Sequence, residues 1–450
     1  MASRAIGLFT LLAALAPTAA TAADDPATGP DGDPLEISFD VESKLHWRHS
    51  DRNALPVPFP FSPDMLPPGF EQGEVRTVEG GSHLELSVIS LIGNLEYGDR
   101  FRAHAKVDLF DRYDRNPTSG DRRIDLDAFW IEFGRHTPVA TVAADPGAYL
   151  RIGKFGKFER QNDRHLESYG VVSTAFNRFE DNGIEVGVDL TPNLYLKASI
   201  TEGNPVFLRD PNALAGDNGV EELRNPNPQP PFETGIPILY DAEVEDVDFL
   251  EDPELGLATG FRWEDAAGQR ALDIMAFGYR RELNNSVNLE GTFYGGDLDL
   301  LRGPANQFPF PGLRGNDKTE YGANVWAYLG DVSLFAQYVD QELASLPRTG
   351  YEIEAAWRFG LPLVWAYDGR QLFSQIQPAI RYSRLDNGFS NPDVTPFPSA
   401  SWDWVKIDYG LRLAILPGLD LTAEFADNRF ETASGTRDND EWLVTLRWRF

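Results

Sequence analysis

Val405-Lys-Ile-Asp-Tyr-Gly-Leu-Arg-Leu413 is apolar at every second position, and such segments recur along almost the whole chain. Leu35 to Val41, Phe101 to Leu109, Ile184 to Leu190, Leu194 to Ile200, Tyr351 to Phe359, Leu419 to Phe425 and Trp442 to Phe450 repeat it. A period of two places apolar groups on one face of a strand and charged groups on the other. Each run holds about 7–11 residues, enough to cross a bilayer as a tilted strand. A sheet in lipid must satisfy its own hydrogen bonds, so such strands have to close into a barrel.

The connections sharpen this reading. Sixteen strands are predicted, near 35–48, 81–97, 101–113, 122–135, 148–157, 183–190, 194–203, 254–264, 268–283, 318–329, 332–343, 350–359, 373–386, 404–415, 419–430 and 440–450. The gaps between them alternate in kind. One set is mostly long and rich in Pro, Asn, Asp and Gly, including 49–80, 158–182, 204–253, 284–317 and 387–403. The other set includes 98–100, 191–193, 265–267, 330–331 and 416–418, with longer members at 136–147 and 360–372. Short periplasmic turns and long extracellular loops are the asymmetry of a bacterial outer-membrane barrel. The expected fold is therefore all-β, a transmembrane antiparallel β-barrel of 16 strands, with 14 or 18 left open by segments such as Asn288 to Leu301. A soluble sandwich or propeller does not account for the loop asymmetry.

The N-terminus fits export. Arg4, the apolar stretch Ala5 to Ala16 and Ala20-Thr21-Ala22 form a signal-peptide pattern over residues 1–22. Residues 23–34 would be a short periplasmic segment, and 35–450 a single barrel. The mean hydropathy of −0.35 does not oppose this, because only alternate residues face lipid. There are no cysteines, hence no disulfides or thiolate chemistry. The net charge is −30, or −31 once Arg4 leaves with the leader, which argues against nucleic acid as a partner. Thirteen acids against Arg209 and Arg224 put a formal −11 on residues 204–254, read as a solvated loop or a cation-bridging surface.

If the apolar face meets lipid, charged residues between apolar ones face the lumen. Arg102, Lys106, Lys197, Arg358, Arg381, Lys406 and Arg412 are the expected pore-lining cations, among many carboxylates. Loop 158–182 should fold into the pore. Its middle, Ser168 to Phe176, is too apolar for water, and burying Val171, Val172 and Phe176 is worth ~1.5–3 kcal/mol each. Residues 151–178 carry Arg151, Lys154, Lys157, Arg160, Arg164 and Arg178 against Glu159, Asp163 and Glu167, a local +3. Lys154, Lys157, Arg160, Arg164 and Arg178 are thus the candidate constriction, with the guanidinium groups suited to carboxylate or phosphate. The competing role for the wall residues is cross-strand pairing, and for the arginines of the loop it is pairing with Glu159, Asp163, Glu167 and Glu180 to rivet the loop.

No catalytic, metal or cofactor motif is present: no G-x-S-x-G, H-E-x-x-H or phosphate-binding Gly-rich loop. His46, His49, His83 and Ser50 could meet at the outer rim as a hydrolase site, a minor reading.

Residues 150–190 carry Gly153-Lys154-Phe155 at a strand end, a loop with Glu159-Arg160 and Ser168 to Arg178, and a returning strand from Gly183. This stretch resembles the phosphate-selective porin O/P family and related sixteen-stranded specific porins. That resemblance implies a trimeric passive channel narrowed by its third loop, set in outer-membrane lipid and lipopolysaccharide and passing small hydrophilic solutes. The family's phosphate members carry an arginine ladder and a lysine cluster, whereas here the lumen acids match the lumen bases. The expected function is a porin for small, anionic solutes, not an enzyme, without cofactor. An export conduit like the alginate-export barrels is the alternative.

Overall fold

The computed structural model describes residues 35–50, 54–57, 73–76, 81–110, 124–161, 163–176, 180–203, 206–209, 241–244, 249, 252–282, 287–288, 316–362, 365–388, 403–432 and 435–450. The leader pattern at 1–22, the segment 23–34, Arg178, and most of loops 204–253 and 284–317 lie outside them.

Sixteen antiparallel strands close into one barrel. They are β1 (Leu35–Ser50), β2 (Gly81–Tyr97), β3 (Phe101–Phe110), β4 (Ile124–Gly134), β5 (Ala148–Gly156), β6 (Glu180–Asp189), β7 (Leu194–Thr201) and β8 (Glu254–Glu264). There follow β9 (Arg270–Glu282), β10 (Asp317–Leu329), β11 (Val332–Leu343), β12 (Leu346–Trp357), β13 (Gln375–Asn387), β14 (Asp403–Leu416), β15 (Leu419–Thr432) and β16 (Gly435–Arg449). Each strand pairs with its sequence neighbours, and β16 returns to β1, with Glu42 opposite Arg449 and Ser50 opposite Glu441. No edge is left unpaired, as lipid requires.

The alternation of the sequence becomes an alternation of environment. Along β8, Leu255, Leu257, Phe261 and Trp263 point outward and exposed, while Glu254, Ala258 and Arg262 are buried inside. Tyr409, Phe425 and Trp442 form an aromatic row across the outer face of β14, β15 and β16, with ring centroids 6.5 and 4.9 Å apart. The expected loop at 344–349 is shorter than the sequence suggests. β11 and β12 join through Ala344 and Ser345, both at positive φ (47° and 72°), a two-residue turn whose twist suits a hairpin.

The chain itself fills part of the lumen. The segment after β5 leaves the wall and carries a short helix, α1 (Val171–Phe176). Val171, Val172, Ala175 and Phe176 pack with the inward-facing Tyr195, Met275, Phe277, Tyr279, Trp326, Phe335, Val339, Leu385 and Trp404. Val171 and Val172 retain no exposure. At the helix entry a Cβ on Gly170 would meet the carboxylate of the buried Glu352, which would have to shift. Gly170→Ala should therefore loosen the segment, at a cost of about 1–3 kcal/mol. The expected sign is faster tryptic cleavage at Arg160 or Arg164 in a barrel that still shows heat-modifiable migration.

Candidate functional site

Two sets of contacts pin this segment across the lumen. The first holds its apex. Glu424 on β15 accepts the backbone N–H groups of Glu167 (2.5 Å) and Ser168 (3.1 Å). Arg381 on β13 donates to the Ser168 carbonyl (2.9 Å) and pairs with Asp408 (2.9 Å), while Lys406 donates to the Tyr169 carbonyl (2.7 Å). Glu354 accepts from Gln161 (3.1 Å) and the His165 N–H (3.0 Å). Glu167 itself lies among Lys44 on β1 (3.0 Å), Arg412 on β14 (3.2 Å) and Arg447 on β16 (3.4 Å). Burial would raise its pKa, but Lys44, Arg447 and Arg412 outweigh that and hold the carboxyl well below its usual range.

The second set holds the root. Lys157 reaches Glu254 (3.1 Å) and Glu320 (3.8 Å) and sits over the Tyr279 ring (4.1 Å). Glu159, fully buried, accepts from the Tyr279 hydroxyl (2.5 Å), and its carbonyl accepts from Asn324 and Gln337. Burial, aided by the Glu320 charge and opposed by Lys157, pushes the Glu159 carboxyl up to about 7. A raised carboxyl pKa gives stability that is complete below the unfolded value and lost as pH rises through the folded one. The root should thus be tightest below about pH 4.5 and loosen between there and about 7, with no further change above. Tryptic cleavage of the segment should accelerate across that range, and Glu159→Gln should flatten the profile. A flat profile in the unaltered protein would refute this.

Between the filled part and the wall of β3 to β7 lies a chamber of about 750 Å³. Its lining includes Arg102, Lys106, Arg151, Lys157, Arg160, Arg164 and Lys197 against Asp127, Glu180 and Glu185, a formal +4 with histidine neutral. Glu132, buried on the inner face of β4, pairs with Arg102 (2.8 Å) and Arg151 (2.7 Å), and together with the buried Asp108 and Glu254 it offsets part of this charge. Aromatic faces complete it: the Arg151 guanidinium lies 4.7 Å from the Trp130 ring, and His104 stacks on Trp130 at 5.4 Å. Lys106 is held by Asp127 (2.8 Å) and Asp108 (2.9 Å), and Arg160 by Glu180. Arg164 stands over Tyr169 at 4.0 Å, with its Nη1 buried and without a hydrogen-bond partner among the described residues.

The residues singled out from the sequence therefore divide. Lys157, Arg160, Arg164, Arg102, Lys106 and Lys197 line the chamber. Arg381, Lys406 and Arg412 are inward but bind the folded segment. Arg358 lies at the periplasmic rim, exposed and 3.5 Å from Asp331. Lys154 is a correction. It pairs in register with the outward Phe129, its ammonium donating to the Leu126 carbonyl (2.5 Å), and it does not line the chamber. Arg151, counted in the local charge but left out of the candidate constriction, is central. Alternation from Tyr149 through Arg151 and Gly153 to Phe155 would have placed it inside and Lys154 outside. The proposed histidine cluster also comes apart: His46 is buried on the inner face, whereas His49 stacks with Trp47 on the outer face and bonds Ser82 (2.8 Å).

No protein-family model and no curated protein matches the sequence. Solved structures do. The outer-membrane channel DcaP of Acinetobacter baumannii superposes with a TM-score of 0.50 over 95% of this chain and 100% of that one, at 9% identity. This is an outer-membrane barrel. OprB of Pseudomonas putida superposes with a TM-score of 0.48, at 10% identity, over 92% of this chain and 94% of that one. At such identities the likeness is one of fold.

Proposed function

We infer that the barrel is a passive channel for small hydrophilic solutes, with a preference for anions. The observation that carries this reading is the basic chamber, whose lining alone carries a formal +4, partly offset by the buried Glu132 and Asp108, inside a chain of −30. In a narrow passage bounded by low-dielectric walls, local charge outweighs the global sign. Guanidinium groups on both the wall (Arg102, Arg151) and the folded segment (Arg160, Arg164) suit carboxylate or phosphate oxygens, and nothing in their arrangement singles out phosphate. The reading implies a protein without catalytic activity, seated in lipid and lipopolysaccharide as a homotrimer, which cross-linking of detergent-extracted protein would test. The decisive measurement is reversal potential in a planar bilayer under a salt gradient. An anion-selective value supports the reading. Cation selectivity at low salt overturns it and gives control to the acidic remainder of the chain.

A further inference from the structure

The turn between β4 and β5 is far longer than its periplasmic neighbours at 98–100 and 191–193. It does not hang below the barrel. Thr137 donates to Asp189 (2.7 Å), the Ala140 N–H to Asp273 (3.0 Å), the Val142 N–H to Glu264 (3.3 Å) and the Ala143 N–H to the Pro192 carbonyl (3.1 Å). Asp273 belongs to β9, four strands from β5 along the wall, so the turn reaches roughly 19 Å across the inner face. Ala140 and Ala143 are buried, and Ala140 holds a φ of 58°, a left-handed conformation that costs a residue with a Cβ about 1–2 kcal/mol.

The receiving carboxylates are themselves fixed. Arg262 pairs with Asp189 (2.8 Å) and Asp273 (3.5 Å) and lies 4.0 Å from the Tyr195 ring, whose hydroxyl donates to Asp273 (2.7 Å). Pro138 and Val139 line the basic chamber, and Val139 also packs on the apolar cluster that fills part of the lumen.

We propose that the turn 135–147 is a second constriction, whose tip, Pro138 to Ala144, forms an uncharged, largely apolar sill at the periplasmic end of the basic chamber, with Val139 setting its width. Charge is selected above it by the arginines and size at the sill, so the solutes favoured are compact anions. Pro138 and Val139 have no side-chain polar groups to replace a hydration shell, and a bulky solute held by the arginines would stop there. This inference rests on the channel reading for its consequence, but the sill can be tested without it.

The absence of native cysteine makes the test direct. Ala128→Cys places a thiol in the chamber lining. In proteoliposomes of known orientation, an anionic methanethiosulfonate is applied from the periplasmic side or the extracellular side. Adding Val139→Gly should raise the periplasmic modification rate several-fold, and Val139→Trp should lower it several-fold, with extracellular rates unchanged. Single-channel conductance should move the same way, at constant reversal potential, since no charge is altered. Equal periplasmic rates in the two variants would overturn the sill. A protein that conducts nothing yet shows the two labelling rates would instead overturn the channel reading and leave the sill standing.

Discussion

With Glu167 replaced by glutamine, single-channel conductance should rise several-fold and the current should become noisy. The Glu167 carboxylate is almost wholly buried and faces three cations within 3.0–3.4 Å, from β1, β14 and β16. Neutralising it leaves those cations in the wall without their shared counter-charge. Breaking a buried ion pair on one side costs at most about 3–5 kcal/mol, and less here because Lys44 keeps Glu42 and Arg412 and Arg447 keep Asp420. The apex then keeps only its backbone contacts to Glu424, Arg381 and Lys406, while the wall retains its hydrogen-bonded ladder. The expected product is an intact barrel with a loosened inner segment, seen as higher conductance and as new tryptic cleavage at Arg160 or Arg164. An unaltered conductance with unaltered protease resistance would remove Glu167 from any part in docking.

The second large effect concerns sign. Arg102, Arg151 and Lys197 project from β3, β5 and β7 into the chamber. Replacing all three by glutamine leaves Lys106, Lys157, Arg160 and Arg164 against Asp127, Glu180, Glu185 and the newly released Glu132. The basic balance is cancelled, and the acidic remainder of the chain governs permeation. Reversal potential should cross from anion to cation preference. Arg160→Gln with Arg164→Gln should produce a smaller displacement in the same direction at nearly constant conductance. If the triple variant keeps the anion preference, with heat-modifiable migration showing a folded barrel, the chamber does not set selectivity.

The barrel was legible because lipid enforces a strict rule. Every strand had to alternate, every ladder had to close, and the two kinds of connection had to differ. Segments such as 254–264 and 332–343 accordingly coincide with β8 and β11 to the residue. The interior obeys a looser rule. Lys154 and Arg151 are three residues apart, and charge counting treats them alike. Strand alternation, with Gly153 opposite Trp130, sends the Lys154 ammonium outward and the Arg151 guanidinium inward. The helix α1 has no sequence periodicity long enough to announce itself, since six residues make fewer than two turns. The inward course of 135–147 depends on Asp189, Asp273 and Glu264, carboxylates far along the chain whose positions follow only from closure. Which lumen charges meet water and which meet the folded segment is likewise a three-dimensional fact. Arg381 and Arg102 both read as inward cations, yet one is wholly buried beside Ser168 and the other borders the chamber.

The triad around Glu167 also orders assembly in time. Lys44 and Arg447 stand on β1 and β16, the strands whose pairing joins the two ends of the chain. Arg412 lies 245 residues from Glu167 along the sequence. Those cations come together only once the seam has zipped, so the middle of the chain cannot find its final seat while the cylinder is still an open sheet. Loop-closure entropy delays such long-range contacts further. An inserting barrel would thus remain wide until its last strand pairs with its first, and narrow afterwards. The plugging of the lumen is in this sense a report that the wall is complete.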